Sequence, residues 1–227
     1  MRKLVLLSAS TVVVLVVAAG GWLWVAGGSG EPSAPLPTPA PTAVSPGSVV
    51  FVIDPARSLA SFEVQEELRG APNIVIGDTD RISGQVAFDP ADLTTAVISE
   101  IVINARTFRT DSARRDRAMR GPILLDSASD ENEFITFAPT SVDGLEGAAV
   151  PGVVYEFTVT GDLTVKGTTR PVTFEVAAQL LDDSTLEGSA TARILRSDFG
   201  IGIPAAPGVA NVTDEIILYL DFVAVSG

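Results

Sequence analysis

The sequence predicts an all-β domain: an antiparallel up-and-down barrel of about eight strands with one short helix, preceded by a single N-terminal transmembrane helix. Three observations carry that expectation. Apolar and polar residues alternate with a period of two, the pattern of strands with one buried face. Turn-forming pairs separate the alternating runs at Asp54-Pro55, Asp89-Pro90, Asp143-Gly144, Lys166-Gly167 and Asp182-Asp183. A charge-free apolar run opens the chain, from Leu4 to Ala26.

That first run is 23 residues long, about 34 Å as a helix, enough to cross a hydrocarbon core of about 30 Å. Arg2 and Lys3 precede it, which predicts a cytoplasmic N-terminus. Trp22 and Trp24, the only tryptophans, sit at the far end, where an interfacial belt would place them. The expected location is therefore the cell membrane, single-pass, with the following domain extracytoplasmic. The competing reading is a signal peptide cleaved near Val17-Ala18-Ala19, which would leave that domain secreted or periplasmic. Residues 27–47 are mostly Gly, Ser, Pro, Ala and Thr, with six prolines from Pro32 to Pro46. Such a stretch reads as a semi-extended spacer.

Residues 48–227 form the expected barrel domain, with 13 basic and 27 acidic residues. Strands are predicted at about 49–53, 58–66, 80–88, 96–104 and 133–142. The stretch 153–180 reads as one long hairpin around Lys166-Gly167, with Tyr155, Phe157, Val159, Val172, Phe174 and Val176 on one face. Leu186 to Ile194 and Ile216 to Phe222 complete the series. Pro171 cannot donate to a ladder, so it should lie at a rim or bulge. Asp111 to Arg120 is predicted as the one helix, with Asp111 as its cap. Arg69 to Thr79 reads as a long loop, either a lid or a turn.

Composition excludes several function classes. The chain has no Cys and no His, so it has no disulfide, thiolate nucleophile, imidazole base, or metal site built on either residue. A net charge of −13 argues against nucleic acid as a partner. No catalytic residues, no metal ligands and no cofactor are expected. Asp198-Phe199-Gly200 matches a kinase tripeptide without the glycine-rich loop that would accompany it. Asn211-Val212-Thr213 is a short sequon with no supporting context. Oligomeric state is left open.

Several ordered pieces resemble one family. They include Ile53-Asp54-Pro55 with Arg57-Ser58 and Phe62, Gly84 with Phe88-Asp89-Pro90, and Ile103 to Thr110 leading into Arg115-Asp116. Then follow Phe134-Ile135-Thr136-Phe137, Gly161 to Gly167, Thr169-Arg170-Pro171-Val172, Arg196 to Gly200, and Asp214-Glu215-Ile216. Together they resemble the YceI-like family, exported bacterial proteins with a lipocalin-like barrel that bind polyisoprenoid lipids. The family often carries His in the first strand and in the helix; this chain has Val64-Gln65-Glu66-Glu67 and Arg115 to Arg120 there.

The resemblance implies an isoprenoid-type lipid as partner, held inside the barrel for carriage or sequestration. Gly84, Gly188, Ala190 and Ala192 would leave interior volume unfilled. Phe62, Val64, Ile101, Phe137, Tyr155, Phe157, Phe174, Leu218, Leu220 and Phe222 are the expected lining. Some ten buried methylenes would contribute on the order of 8 kcal/mol before association costs. Arg106, Arg109, Arg114, Arg115, Arg117 and Arg120 form a local basic cluster on an acidic domain. Arg114, Arg115, Arg117 and Arg120 are the head-group candidates, since Arg binds phosphate in bidentate fashion. They would equally suit the anionic lipids of a facing membrane. The alternative is a solvated helix whose arginines pair with Asp111, Asp116 and Asp126. Two rival functions remain at this point. One is a ligand-free interaction domain on a stalk, which predicts a filled barrel. The other is a carboxylate enzyme, which needs an acid inside the barrel.

Overall fold

The computed structural model describes residue 32, residues 36–41 and residues 44–226. The expected transmembrane segment, residues 1–26, and part of the spacer lie outside the described residues. Among the described residues no helix is long and apolar enough to cross a membrane.

The strands run in chain order as β1 (Val49–Ile53), β2 (Leu59–Leu68), β3 (Ala71–Thr79), β4 (Ile82–Ser83), β5 (Gln85–Asp89), β6 (Asp92–Ile98) and β7 (Ile101–Asn104). After helix α1 (Ala113–Met119) come β8 (Phe134–Asp143), β9 (Val154–Val165), β10 (Thr168–Asp182), β11 (Thr185–Leu195), β12 (Val209–Ala210) and β13 (Glu215–Ser226). They form one antiparallel sheet in the order β4-β7-β8-β9-β10-β11-β13-β1-β5-β6, with β2 on β13 and β3 on β2. Only Gly84 separates β4 from β5, and only Ser99-Glu100 separates β6 from β7. The two ends of the order therefore meet, and the sheet curls into a barrel.

The interruptions have local causes. Asp54 accepts a hydrogen bond from Ala56 N at 3.0 Å and pairs with Arg57 at 2.7 Å, so the chain turns between β1 and β2. The kink lets β13 pair with both: its first half with β2 and its last residues with β1. At Gly84 a Cβ would lie 2.4 Å from Ile101 Cδ1, so any larger residue would have to displace the Ile101 side chain where these strands meet.

The period-two reading holds through β9, β10, β11 and β13. Val159, Leu163 and Val165 are buried on one strand, and Val172, Val176, Ala178 and Leu180 on the next. Pro171 lies opposite Asp162 of β9, in the part of β10 ahead of Glu175, where the β11 ladder begins. Its missing N–H therefore falls in a stretch with a strand on one side only. The β9–β10 turn places Lys166 and Gly167 at φ values of 51° and 68°, a tight hairpin.

Two expectations are corrected. Residues 69–79 are not a loop. Ala71–Thr79 is strand β3, paired with β2 from Leu68↔Ala71 to Ala60↔Thr79. Arg69 and Gly70 make the turn, with φ values of 53° and 83°. Pro72, the unusual Arg-Gly turn and the unbroken apolar run Ile74-Val75-Ile76, in which only Val75 is buried, left no alternation to read; Pro72 is tolerated because, among the described residues, β2 is the only strand paired with β3. The helix is also shorter than Asp111 to Arg120. Ser112 caps it by accepting from Arg115 N, while Asp111 pairs with the Arg115 guanidinium. The buried Asp116 carboxylate accepts from Thr110 N at 2.8 Å and Thr110 Oγ1 at 2.7 Å, which fixes the entry of the helix.

Candidate functional site

The barrel encloses a cavity of about 660 Å³, within the range of single-ligand sites. All ten apolar residues expected as lining stand on its wall: Phe62, Val64, Ile101, Phe137, Tyr155, Phe157, Phe174, Leu218, Leu220 and Phe222. Strand alternation puts them there, since every second residue of a curled sheet points inward. Most are only half-buried although they face inward, because the interior is not filled with side chains. Phe137 and Phe174 meet edge to face with centroids 4.9 Å apart. Small residues make the room. Ala190 is on the wall, and at Gly188 a Cβ would lie 2.8 Å from Phe222 Cζ, so glycine there admits the ring. Gly84, Gly188 and Ala192 do not themselves line the cavity; Ala192 packs in the smaller core with Leu163 and Ile194.

The two ends of the cavity differ in chemistry. At the deep end Leu93, Leu145, Ala149 and Leu186 close the floor. There the Tyr155 hydroxyl donates to Ala148 O at 2.9 Å and accepts from Val150 N at 3.0 Å, so its polar tip is satisfied outside the tunnel. Every charged residue on the wall is at the other end: Glu66, Arg69, Asp111, Arg114, Arg115 and Arg196. The mouth is framed by the β2–β3 turn, helix α1 and the segment from Ile201 to Val212. Arg69 N donates to Gly208 O at 2.6 Å and β12 pairs with β2, which ties that segment to the turn.

The arginine cluster separates into different roles. Arg106 is a buried structural cation, paired with Glu133 at 3.0 Å and Asp130 at 2.6 Å. Arg120 Nη1 donates to Arg106 O at 3.1 Å, and burial together with the like charge of Arg109 lowers its pKa. Arg115 bridges Glu66 at 3.2 Å and Asp111, holding α1 to the end of β2. Of the four head-group candidates, Arg114 and Arg115 stand on the cavity wall; Arg117 and Arg120 do not. Arg69 and Arg196 also reach the wall, unforeseen from sequence. Arg196 donates to Thr213 O at 3.1 Å and Ile201 O at 3.0 Å, bracing the mouth segment. The neighbouring Asp214 carboxyl is held below the usual range, chiefly by the Ser197 hydroxyl. Among the described residues the only carboxylates on the wall, Glu66 and Asp111, are both engaged by Arg115. Among the described residues no cluster of acids is placed to hold a metal ion.

The profile of the YceI-like domain matches residues 51–224. The chain belongs to the YceI-like family. Among curated relatives, a UPF0312 protein of Shewanella denitrificans is 27% identical over 184 residues, covering 78% of this chain and 89% of that protein. A UPF0312 protein of Pseudomonas aeruginosa is 29% identical over 154 residues, covering 64% and 72%. Among solved structures, Burkholderia cenocepacia BcnA superposes with a TM-score of 0.58 at 24% identity, covering 75% of this chain and 98% of BcnA. A polyisoprenoid binding domain from Saccharophagus degradans gives a TM-score of 0.59 at 13% identity, covering 79% and 99%. These likenesses agree with the curled, lipocalin-like YceI fold seen here.

Proposed function

We propose that this protein is a binding protein for an isoprenoid-type lipid, tethered to the outer face of a membrane by its N-terminal segment. The lipid chain lies along the barrel axis and its polar end sits among the arginines of the mouth. The role is carriage or sequestration, with no chemical step. The observation that carries the reading is the cavity itself, about 660 Å³ of apolar wall with all its charge at one end. An amphiphile with one long apolar tail matches that distribution. The structural likeness to the polyisoprenoid binding domain from Saccharophagus degradans supports the choice of lipid class. The apolar, charge-free run from Leu4 to Ala26 supports the tether and the extracytoplasmic placement. The rival reading, a filled barrel acting only through its surface, requires an interior this fold does not have.

The test is direct. The protein is purified under native conditions, extracted with organic solvent, and the extract is identified by mass spectrometry. A stoichiometric isoprenoid is expected. No bound lipid, and no uptake when isoprenoids are supplied, would overturn the proposal.

A further inference from the structure

The thirteen cations of the barrel domain are unevenly placed. None falls in residues 82–105, 121–165 or 171–192. The turns at the deep end of the cavity carry Asp89, Asp92, Asp143, Glu146, Asp182 and Asp183, and the one cation in that half, Arg57, is paired with Asp54. The mouth carries Arg69 and Arg114, both exposed and both on the cavity wall. Among the described residues neither guanidinium has a hydrogen-bond or ion-pair partner. Apolar side chains stand exposed beside them: Leu68 is 36% exposed and Ile203 39%, and both also line the cavity.

We infer that this mouth is a docking face for an anionic lipid bilayer, against which the cavity loads and unloads. For its geometry the inference rests on the tethered reading above; for its chemistry it rests on the rim alone. A negative membrane surface attracts the arginine end and repels the acidic end, so the field orients the barrel mouth-down. The unpartnered guanidinium groups take lipid phosphates in bidentate fashion. Leu68 and Ile203 enter the interface, giving a lipid chain an apolar path from bilayer to tunnel. The described part of the spacer lies against the barrel wall. Gly47 lies beside Asp89 at the acidic end, yet the Ser83 hydroxyl donates to the carbonyl of Pro37. Ser83 lies six residues before Asp89, on β4 across the Gly84 break from β5. Between Gly47 and Pro37 the described spacer therefore passes from the β5–β6 turn to β4, along the barrel wall.

The full chain reconstituted in vesicles tests this. Because the chain has no Cys, one introduced thiol is a unique label site. A polarity-sensitive fluorophore is placed at Ile203→Cys, and in a second preparation at Asp183→Cys. With phosphatidylglycerol in the vesicles, emission from position 203 is expected to shift to the blue, and that from position 183 to stay aqueous. Pure phosphatidylcholine should give no shift, and 1 M salt, with a Debye length of about 3 Å, should reverse it. Arg69→Gln/Arg114→Gln should lower the ratio of docked to undocked protein about thirtyfold, two charges at about 1 kcal/mol each. An aqueous signal at position 203 on anionic vesicles overturns the inference. So does an equal shift on phosphatidylcholine, or an equal shift at position 183. A barrel that carries lipid by mass spectrometry yet fails here refutes docking and leaves the binding function standing.

Discussion

Replacing Arg106 by Met would remove the cation from the most thoroughly buried polar cluster of the domain. The Arg106 side chain is 4% exposed and that of Glu133 is 3% exposed. Glu133 also accepts from Asn104 Nδ2 at 2.7 Å, and Arg106 donates to the carbonyls of Ser127 at 2.5 Å and Ala128 at 3.0 Å. Methionine fills part of the space but takes the guanidinium from Glu133 and from the carbonyls of Ser127 and Ala128. Breaking a buried pair from one side costs about 3–5 kcal/mol, because the remaining charge stays desolvated. That is a large part of the ~5–15 kcal/mol a domain has in total. Urea unfolding followed by circular dichroism would read it as a lower midpoint at an unchanged slope. Arg106→Met/Glu133→Met should cost less than Arg106→Met alone, since it removes the buried carboxylate along with its partner. A single-variant loss below about 1 kcal/mol, or a double variant worse than the sum of the two singles, would refute the assignment of Arg106 as a structural staple. It would return Arg106 to the set of residues available for a ligand.

Three further outcomes are expected. Ala190→Phe projects a ring into the tunnel between Val176 and Leu220, its cross-strand neighbours. If it excludes four methylenes, affinity for long chains should fall roughly two hundredfold, at about 0.8 kcal/mol each, with short chains unaffected; competition across a chain-length series checks this. Gly161→Ala should destabilise by about 1–3 kcal/mol in urea. Its Cβ would fall 2.5 Å from Ala138 O and 2.8 Å from Pro139 Cα, and backbone cannot step aside as a side chain can. Acid should lower the protein's stability in part through Asp54, Asp92, Asp182 and Asp214, whose carboxyls are held low by Arg57, Thr94, Ser184 and Ser197 respectively. Their folded pKa values lie below the unfolded one of about 3.9. The stability they contribute is present above that value and lost as pH falls through the folded values. With no His in the chain, urea midpoints should stay level from about pH 5 to 8 and drop below about pH 4.

The tunnel lining was legible in the chain because strand periodicity is local. Once Tyr155, Phe157 and Phe174 alternate with polar neighbours on strands that curl, their direction follows from the pleat, and so does that of Leu218, Leu220 and Phe222. The Lys166-Gly167 turn was legible for the same reason: two residues and their neighbours decide it. Strand β3 was not, because Pro72 and the Arg69-Gly70 turn carry weak local signals, and pairing with β2 overrides them. The fate of the arginines depended on tertiary structure throughout. Arg106 and Glu133 are 27 residues apart, and Arg115 and Glu66 are 49 apart. The sequence alone put Arg106 and Arg114 in one basic cluster. Folding buried the first against Glu133 and set the second, with the distant Arg69, on the rim of the mouth. Side-chain direction along a strand is set by the residue's own backbone. Whether a charge is buried, paired or left facing a ligand is set by what the rest of the chain brings to it.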